Sequence, residues 1–396
     1  MRRSLALLPF LLCLVLLISS IETDISVPGF PDMVRYFGAT EAQIQLTMSI
    51  NFLGFCLACL ILGPLSDSYG RRPVMLLGMV VFLLAAIGTV TATNLPLLTV
   101  WRFFQGIGAG IEALFVAMIA DAYQGERASR LLTRLNAVLT AAMAAAPIAG
   151  GMLVELFGWR STYSSVAILC LVTTPLLALF LPETNNNKQP FILKQILRNF
   201  YQLMISRDFL LLTMIPTILC TGYLIFVASA VFFYIDQLGV NLATFTMHQG
   251  CVIGCFSLVS FFGGHINSKI GASNAVIAGA FLTVFGALWL SVCAGLSVML
   301  PTAFTVGMCL YAIGVALAFA PTFTGSMELY PNLRGVASSL GMSLRLLMVS
   351  TGIWIAGILY NDTFIPIASM ILAAALISSL LIVAVLVRPG LRKLLA

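Results

Sequence analysis

Five ionisable side chains of this sequence stand where a charge is costly. Glu22 and Asp24 fall in the first long apolar run, Arg102 and Glu112 in the fourth, and Arg345 in the eleventh. A charge at the centre of a hydrocarbon layer costs about 2.5–3.5 kcal/mol on insertion scales, so each of them needs a reason to be there. The chemistry open to the acids is reversible protonation, in which a carboxyl shielded from water exchanges its proton and an approaching cation competes for the same site. Asp24 is the leading candidate for that role, because Pro28 and Pro31 kink the run beyond it and leave it in the outer half. Glu22 is the alternative carrier: a helix turns about 200° over two residues, so the two acids do not readily face one cavity. Glu112 lies ten residues after Arg102, near mid-depth, and is a candidate for binding substrate or a proton. Arg102 lies nearer the outer mouth, where a snorkelling interface arginine is one reading.

Arg345 lies about ten residues in from Gly335, roughly 15 Å deep at 1.5 Å per residue. A guanidinium stays charged and presents a planar fork of donors, so it calls for an acid or an anionic ligand. It either reaches the cytoplasmic loop around Asp67, or projects into a cavity and takes a carboxylate of the substrate. Other chemistries find little support. The nine cysteines all lie within apolar runs and read as small core residues. Cys56 and Cys59 match a metal half-site in spacing only, since no second pair follows. His248 and His265 form no ligand cluster, and no metal, cofactor or catalytic group is expected.

The elements that must position these residues are membrane spans. Sixty per cent of the 396 residues are hydrophobic and 9% are charged, a composition no soluble domain has. A hydrocarbon core of about 30 Å takes roughly 20 apolar residues per helix. Twelve such runs are present, near 5–37, 42–66, 73–94, 97–121, 130–154, 161–181, 208–235, 245–267, 271–293, 298–323, 335–359 and 364–387. The first reads as a span and not as a cleaved leader, since no small-residue cleavage pattern follows. With the N-terminus inside, 16 of the 20 Lys and Arg fall on the cytoplasmic side, and Arg35, Arg102 and Arg160 at the outer face. The net charge of +6 therefore reports topology and is no sign of nucleic-acid binding. Both termini are expected in the cytoplasm of a bacterial cell, with the chain in its inner membrane.

The stretch GPLSDSYGRRP, residues 63–73, links spans two and three. Gly63 and Gly70 suit a tight turn and close helix ends, while Asp67 can accept from amides or a cation. Arg71 and Arg72 can pair with acids on neighbouring helix ends, Asp121 first among them. Gly264 and Gly271 repeat the seven-residue spacing between spans eight and nine, which points to two duplicated halves. Residues 1–184 form the first six-helix bundle, 185–207 a cytoplasmic linker and 208–396 the second bundle. The linker reads as solvated, with a short interfacial helix around Lys194 and Arg198 as the other reading. In span five, Ala141 to Gly151 is built of small residues that let helices approach, and Pro147 beside Gly150 and Gly151 makes a pivot. Tyr123, Phe226, Phe232, Phe233 and Tyr234 carry no assignment beyond packing.

These motifs together resemble the major facilitator superfamily. Gly63, Leu65, Asp67, Gly70, Arg71 and Arg72 fill the family's signature between the second and third helices. RFFQGIGAG resembles its fourth-helix motif, and AAAPIAGG its fifth-helix motif associated with exporters, with Ala146 where the usual pattern has Gly. DISVPGFPDM, FGWRSTY and the LPET run ending at Thr184 are similar to the Bcr/CflA (bicyclomycin-resistance) drug:proton antiporters. The resemblance implies an all-α protein of twelve transmembrane helices in two pseudo-symmetric bundles. It implies proton-coupled export of a small organic compound, with Asp24 at an acidic position of this branch and Arg102 in proton coupling. It implies a latch of Gly63, Asp67, Gly70, Arg71, Arg72 and Asp121, to which a span-eleven base such as Arg345 can contribute. The expected partners are a small-molecule substrate, protons and lipid, and the expected state is a monomer. A dedicated siderophore or metabolite exporter and a proton-coupled importer are the neighbouring readings. A membrane-embedded enzyme or a receptor is the reading from another class; an enzyme would need clustered nucleophiles or ligands that the sequence lacks.

Overall fold

The computed structural model of the chain describes residues 2–123, 125–185 and 188–394. Met1, Gln124, Asn186–Asn187 of the linker and the last two residues, at the C-terminus expected in the cytoplasm, lie outside the described residues. Twelve helices are long and apolar enough to cross a membrane, and no strand occurs among the described residues. Their bounds follow the apolar runs closely, from Leu7–Phe37 for span one to Ile365–Leu386 for span twelve.

Local chemistry sets the ends and breaks. Asn94, Ser206 and Asn241 cap the starts of spans four, seven and eight, each accepting from the amide three residues on. Span one is α-helical to Ser26, passes through a short 3₁₀ turn at Val27–Gly29, and resumes at Phe30–Phe37. The prolines at 28 and 31 account for this kink, since each removes an amide donor from the ladder. Span four is interrupted in the same way by a 3₁₀ segment at Gly110–Leu114, which carries Glu112.

The helices gather into two compact units, one of Met1–Ala39 and Thr47–Leu197, the other of Thr40–Leu46 and Arg198–Ala396. In the first, spans two and four meet backbone to backbone: a Cβ on Gly106 would strike the carbonyl oxygen of Asn51, and one on Gly54 that of Phe103. In the second, spans nine and ten do the same through Gly279, Gly286, Gly307 and Gly314. The core of the second unit is aromatic, with Phe226, Phe233, Tyr234, Phe304 and Phe364 ring against ring. The linker forms a helix, Leu193–Met204, along which Leu193, Leu197, Tyr201 and Met204 are exposed.

The junction of spans two and three is tighter than a loop. Span two runs on through Pro64 to Tyr69, and Gly70 alone separates it from Arg71 at the head of span three. Gly70 has φ +109°, in the region that favours glycine. Gly271, alone between spans eight and nine, has φ +82°, so the duplicated spacing corresponds to one repeated backbone bend. Gly63 lies inside the helix with open space beside it, so close approach is not its role.

Candidate functional site

The polar centre of the first unit is built by spans one, two, four and six. Arg102 is wholly buried, and its Nη1 donates to Glu22 Oε2 at 2.6 Å and to Gln105 Oε1 at 2.9 Å. Its guanidinium lies 5.6 Å from the centre of the Tyr163 ring. Asn51 Nδ2 donates to the Arg102 carbonyl at 3.1 Å, pinning that turn of span four to span two where the glycines bring them together. The snorkelling reading of Arg102 does not hold in this structure: a side chain with no exposed surface does not reach water, and Glu22 supplies the compensating charge.

Asp24 is also buried, at 5% exposure, but has no hydrogen bond or ion pair among the described residues. Span five packs directly behind it. A Cβ on Gly150 would strike the Ile25 carbonyl oxygen, so the small-residue stretch that ends in Pro147, Gly150 and Gly151 lies against the turn of span one that bears Asp24. Glu112 faces the same span from below, with Ser19 Oγ donating to its Oε2 at 3.4 Å. Glu22, Asp24, Arg102 and Glu112 thus gather along span one within one unit.

The charged junction is a second cluster. Arg71 pairs with Asp67 at 2.6 Å and with Asp121 at 3.1 Å, and donates to Ser66 Oγ at 2.6 Å. Glu183, at the end of span six, accepts from the Arg71 and Arg72 amides at 2.9 and 3.2 Å, closing the first turn of span three from outside. Arg72 Nη2 donates to the Ala178 carbonyl at 2.7 Å, and Asn185 Nδ2 to that of Asp67 at 2.9 Å. All these partners belong to the first unit.

In the second unit Arg345 lies with its guanidinium 4.9 Å from the Phe319 ring centre and 5.6 Å from that of Phe323. Within that unit Arg345 rests on two aromatic faces, while Asp67, in the first unit, is paired with Arg71. A second polar chain went unread in the sequence: Thr305 Oγ1 lies 2.8 Å from both His248 Nδ1 and the Tyr234 hydroxyl. Tyr163, Asn51 and Glu183 were likewise missed as partners, since their types are ordinary and only packing brings them to the charges. Among the described residues no three of His, Cys, Asp and Glu come together to hold a metal ion.

A twelve-span helical protein with buried acids and a buried arginine along one span has the build of a membrane transporter. The family model for the Major Facilitator Superfamily matches residues 12–353, and the chain belongs to that family. It is similar to a bicyclomycin resistance protein homolog of Haemophilus influenzae, 26% identical over 81% of each chain. It is 25% identical to the multidrug resistance protein MdtL of Klebsiella pneumoniae over 95% of each. Its fold is that of the Escherichia coli xylose transporter XylE in a partially occluded inward-open structure, with a TM-score of 0.73 at 14% identity over 96% of this chain and 97% of that one. The protein is a multi-pass membrane transporter of the major facilitator fold, and not an enzyme.

Proposed function

We propose that the protein exports a small organic compound in exchange for protons, by alternating access, acting as a single chain in a bacterial cytoplasmic membrane. The observation that carries the coupling is the contrast between two buried acids on one helix. Glu22 is held by Arg102 at 2.6 Å, whereas Asp24, two residues on, has no such partner among the described residues. A carboxylate matched by a guanidinium keeps its charge compensated through a cycle. An unmatched acid within a span needs a proton or a cationic ligand to settle its charge, which is what exchange requires. Asp24 is therefore the proton carrier, with the Glu22–Arg102 pair fixing the field beside it. Glu112 and Arg345 are the substrate contacts. Arg345, seated on two rings with no carboxylate partner among the described residues, favours compounds that bear an acidic group. The names of the similar drug-resistance proteins and the small-residue stretch against span one support the outward direction.

Inverted membrane vesicles energised by respiration provide the test, with a panel of cationic, zwitterionic and anionic compounds. The parent protein should accumulate at least one compound and release protons as it does so. Asp24→Asn should lose accumulation driven by the pH gradient while keeping substrate counterflow at equal abundance. Gradient-driven accumulation by Asp24→Asn would move the carrier role to Glu22 or Glu112, and accumulation in right-side-out vesicles would make the protein an importer.

A further inference from the structure

Between spans seven (Arg207–Gln237) and twelve (Ile365–Leu386) of the second unit, at the ends nearest the linker, lies an open groove of about 480 Å³. Its walls are aliphatic: Leu210, Leu211, Met214 and Ile218 from one span, Ile377 and Leu381 from the other. Its mouth is flanked by Arg207 and Arg388. The wall from Arg207 to Ile218 covers about 16 Å at 1.5 Å per residue, about half of a 30 Å hydrocarbon core. The groove is thus one leaflet deep.

The charges at its mouth are poised for an anion. Arg207 is exposed, and its side chain has no hydrogen bond or ion pair among the described residues. Arg388 donates to Asp208 at 2.7 Å, both being about half exposed. Two guanidinium groups against one carboxylate leave one net positive charge. The linker helix just before Arg207 exposes Leu193, Leu197, Tyr201 and Met204 along it, as a helix lying in a membrane interface does. That helix sets Arg207 at the level of lipid headgroups.

We propose that this groove binds one anionic phospholipid, its phosphate on Arg207 and Arg388 and one acyl chain along the aliphatic wall. Arginine suits the headgroup because its planar fork engages a phosphate through two parallel bonds. A compact polar solute would leave most of the wall unused, and a neutral lipid would leave the net charge unmatched. The phosphate competes with Asp208 for Arg388, so that carboxylate tunes the affinity.

The full chain, purified in detergent, is to be offered phosphatidylglycerol or phosphatidylcholine of matched acyl chains, with bound lipid read by native mass spectrometry. Each basic residue beside an anionic lipid contributes about a fivefold gain. The parent protein should retain phosphatidylglycerol over phosphatidylcholine, Arg207→Gln should lower that retention about fivefold, and Asp208→Asn should raise it. Met214→Trp, which fills the groove beneath intact arginines, should abolish retention of both lipids at an unchanged melting temperature. Equal retention of the two lipids by the parent would overturn the proposal, as would parental retention by Arg207→Gln/Arg388→Gln. Displacement of the lipid by inorganic phosphate alone would also overturn it, since the site would then be for a headgroup and not for a lipid.

Discussion

At the scale of single residues, the buried Glu22–Arg102 pair governs what a substitution does. Removing one partner of a buried ion pair leaves the other uncompensated, at a penalty of about 3–5 kcal/mol. Arg102→Ala should therefore lower the melting temperature and membrane abundance sharply. Adding Glu22→Gln to Arg102→Ala should recover most of that loss, since it removes the orphaned charge. A double variant no more stable than Arg102→Ala would show that Arg102 acts mainly through Gln105 and Tyr163. The ionisable residues themselves were legible in the sequence, because a charge within an apolar run stands out by type alone. Their pairing was not. Glu22 and Arg102 are 80 residues apart, and which acid the arginine takes depends on the rotation of span one. The charge of Glu183 was visible too, but its role depends on the chain folding back from span six onto the amides of Arg71 and Arg72.

At the scale of elements, the two single-glycine bends form a natural comparison. Gly70 and Gly271 both have positive φ, so alanine strains either by about 1–3 kcal/mol. They differ in their surroundings. A Cβ on Gly70 would collide with the Glu183 carboxylate, whereas one on Gly271 meets open space. Gly70→Ala should thus lower the melting temperature more than Gly271→Ala and should speed proteolysis near residue 183; equal losses at the two sites would mean that backbone strain alone matters. The seven-residue glycine spacing foretold the repeat, yet only the structure distinguishes its members. Gly70 is the bend, while Gly63 sits within a helix that continues through Pro64. A glycine–proline pair reads as a turn, and here Ser66 Oγ donates to the Gly63 carbonyl at 2.8 Å within the continuing helix, while Arg71 pairs back to Asp67 across the Gly70 bend.

At the scale of the whole molecule, the twelve spans were legible to within about five residues at each end, because hydrocarbon thickness dictates helix length and apolar content. Orientation rests on the distribution of Lys and Arg, and it gives a direct expectation. In a chain whose nine cysteines are replaced, Ser297→Cys should react with a membrane-impermeant maleimide in intact cells, and Gln202→Cys only after permeabilisation. Reversed labelling would invert the topology and move the linker helix to the outer face. The pairing of Glu22 with Arg102 bears finally on the order of events during synthesis. At about 5–20 residues per second, the 80 residues between them take roughly 4–16 s to be made. Throughout that interval Glu22 stands in span one without its counterion, since the one arginine of that span, Arg35, is paired with Asp32. The first span thus enters the membrane with Glu22 either protonated or still shielded by water, and its charge is settled only when the fourth span brings Arg102.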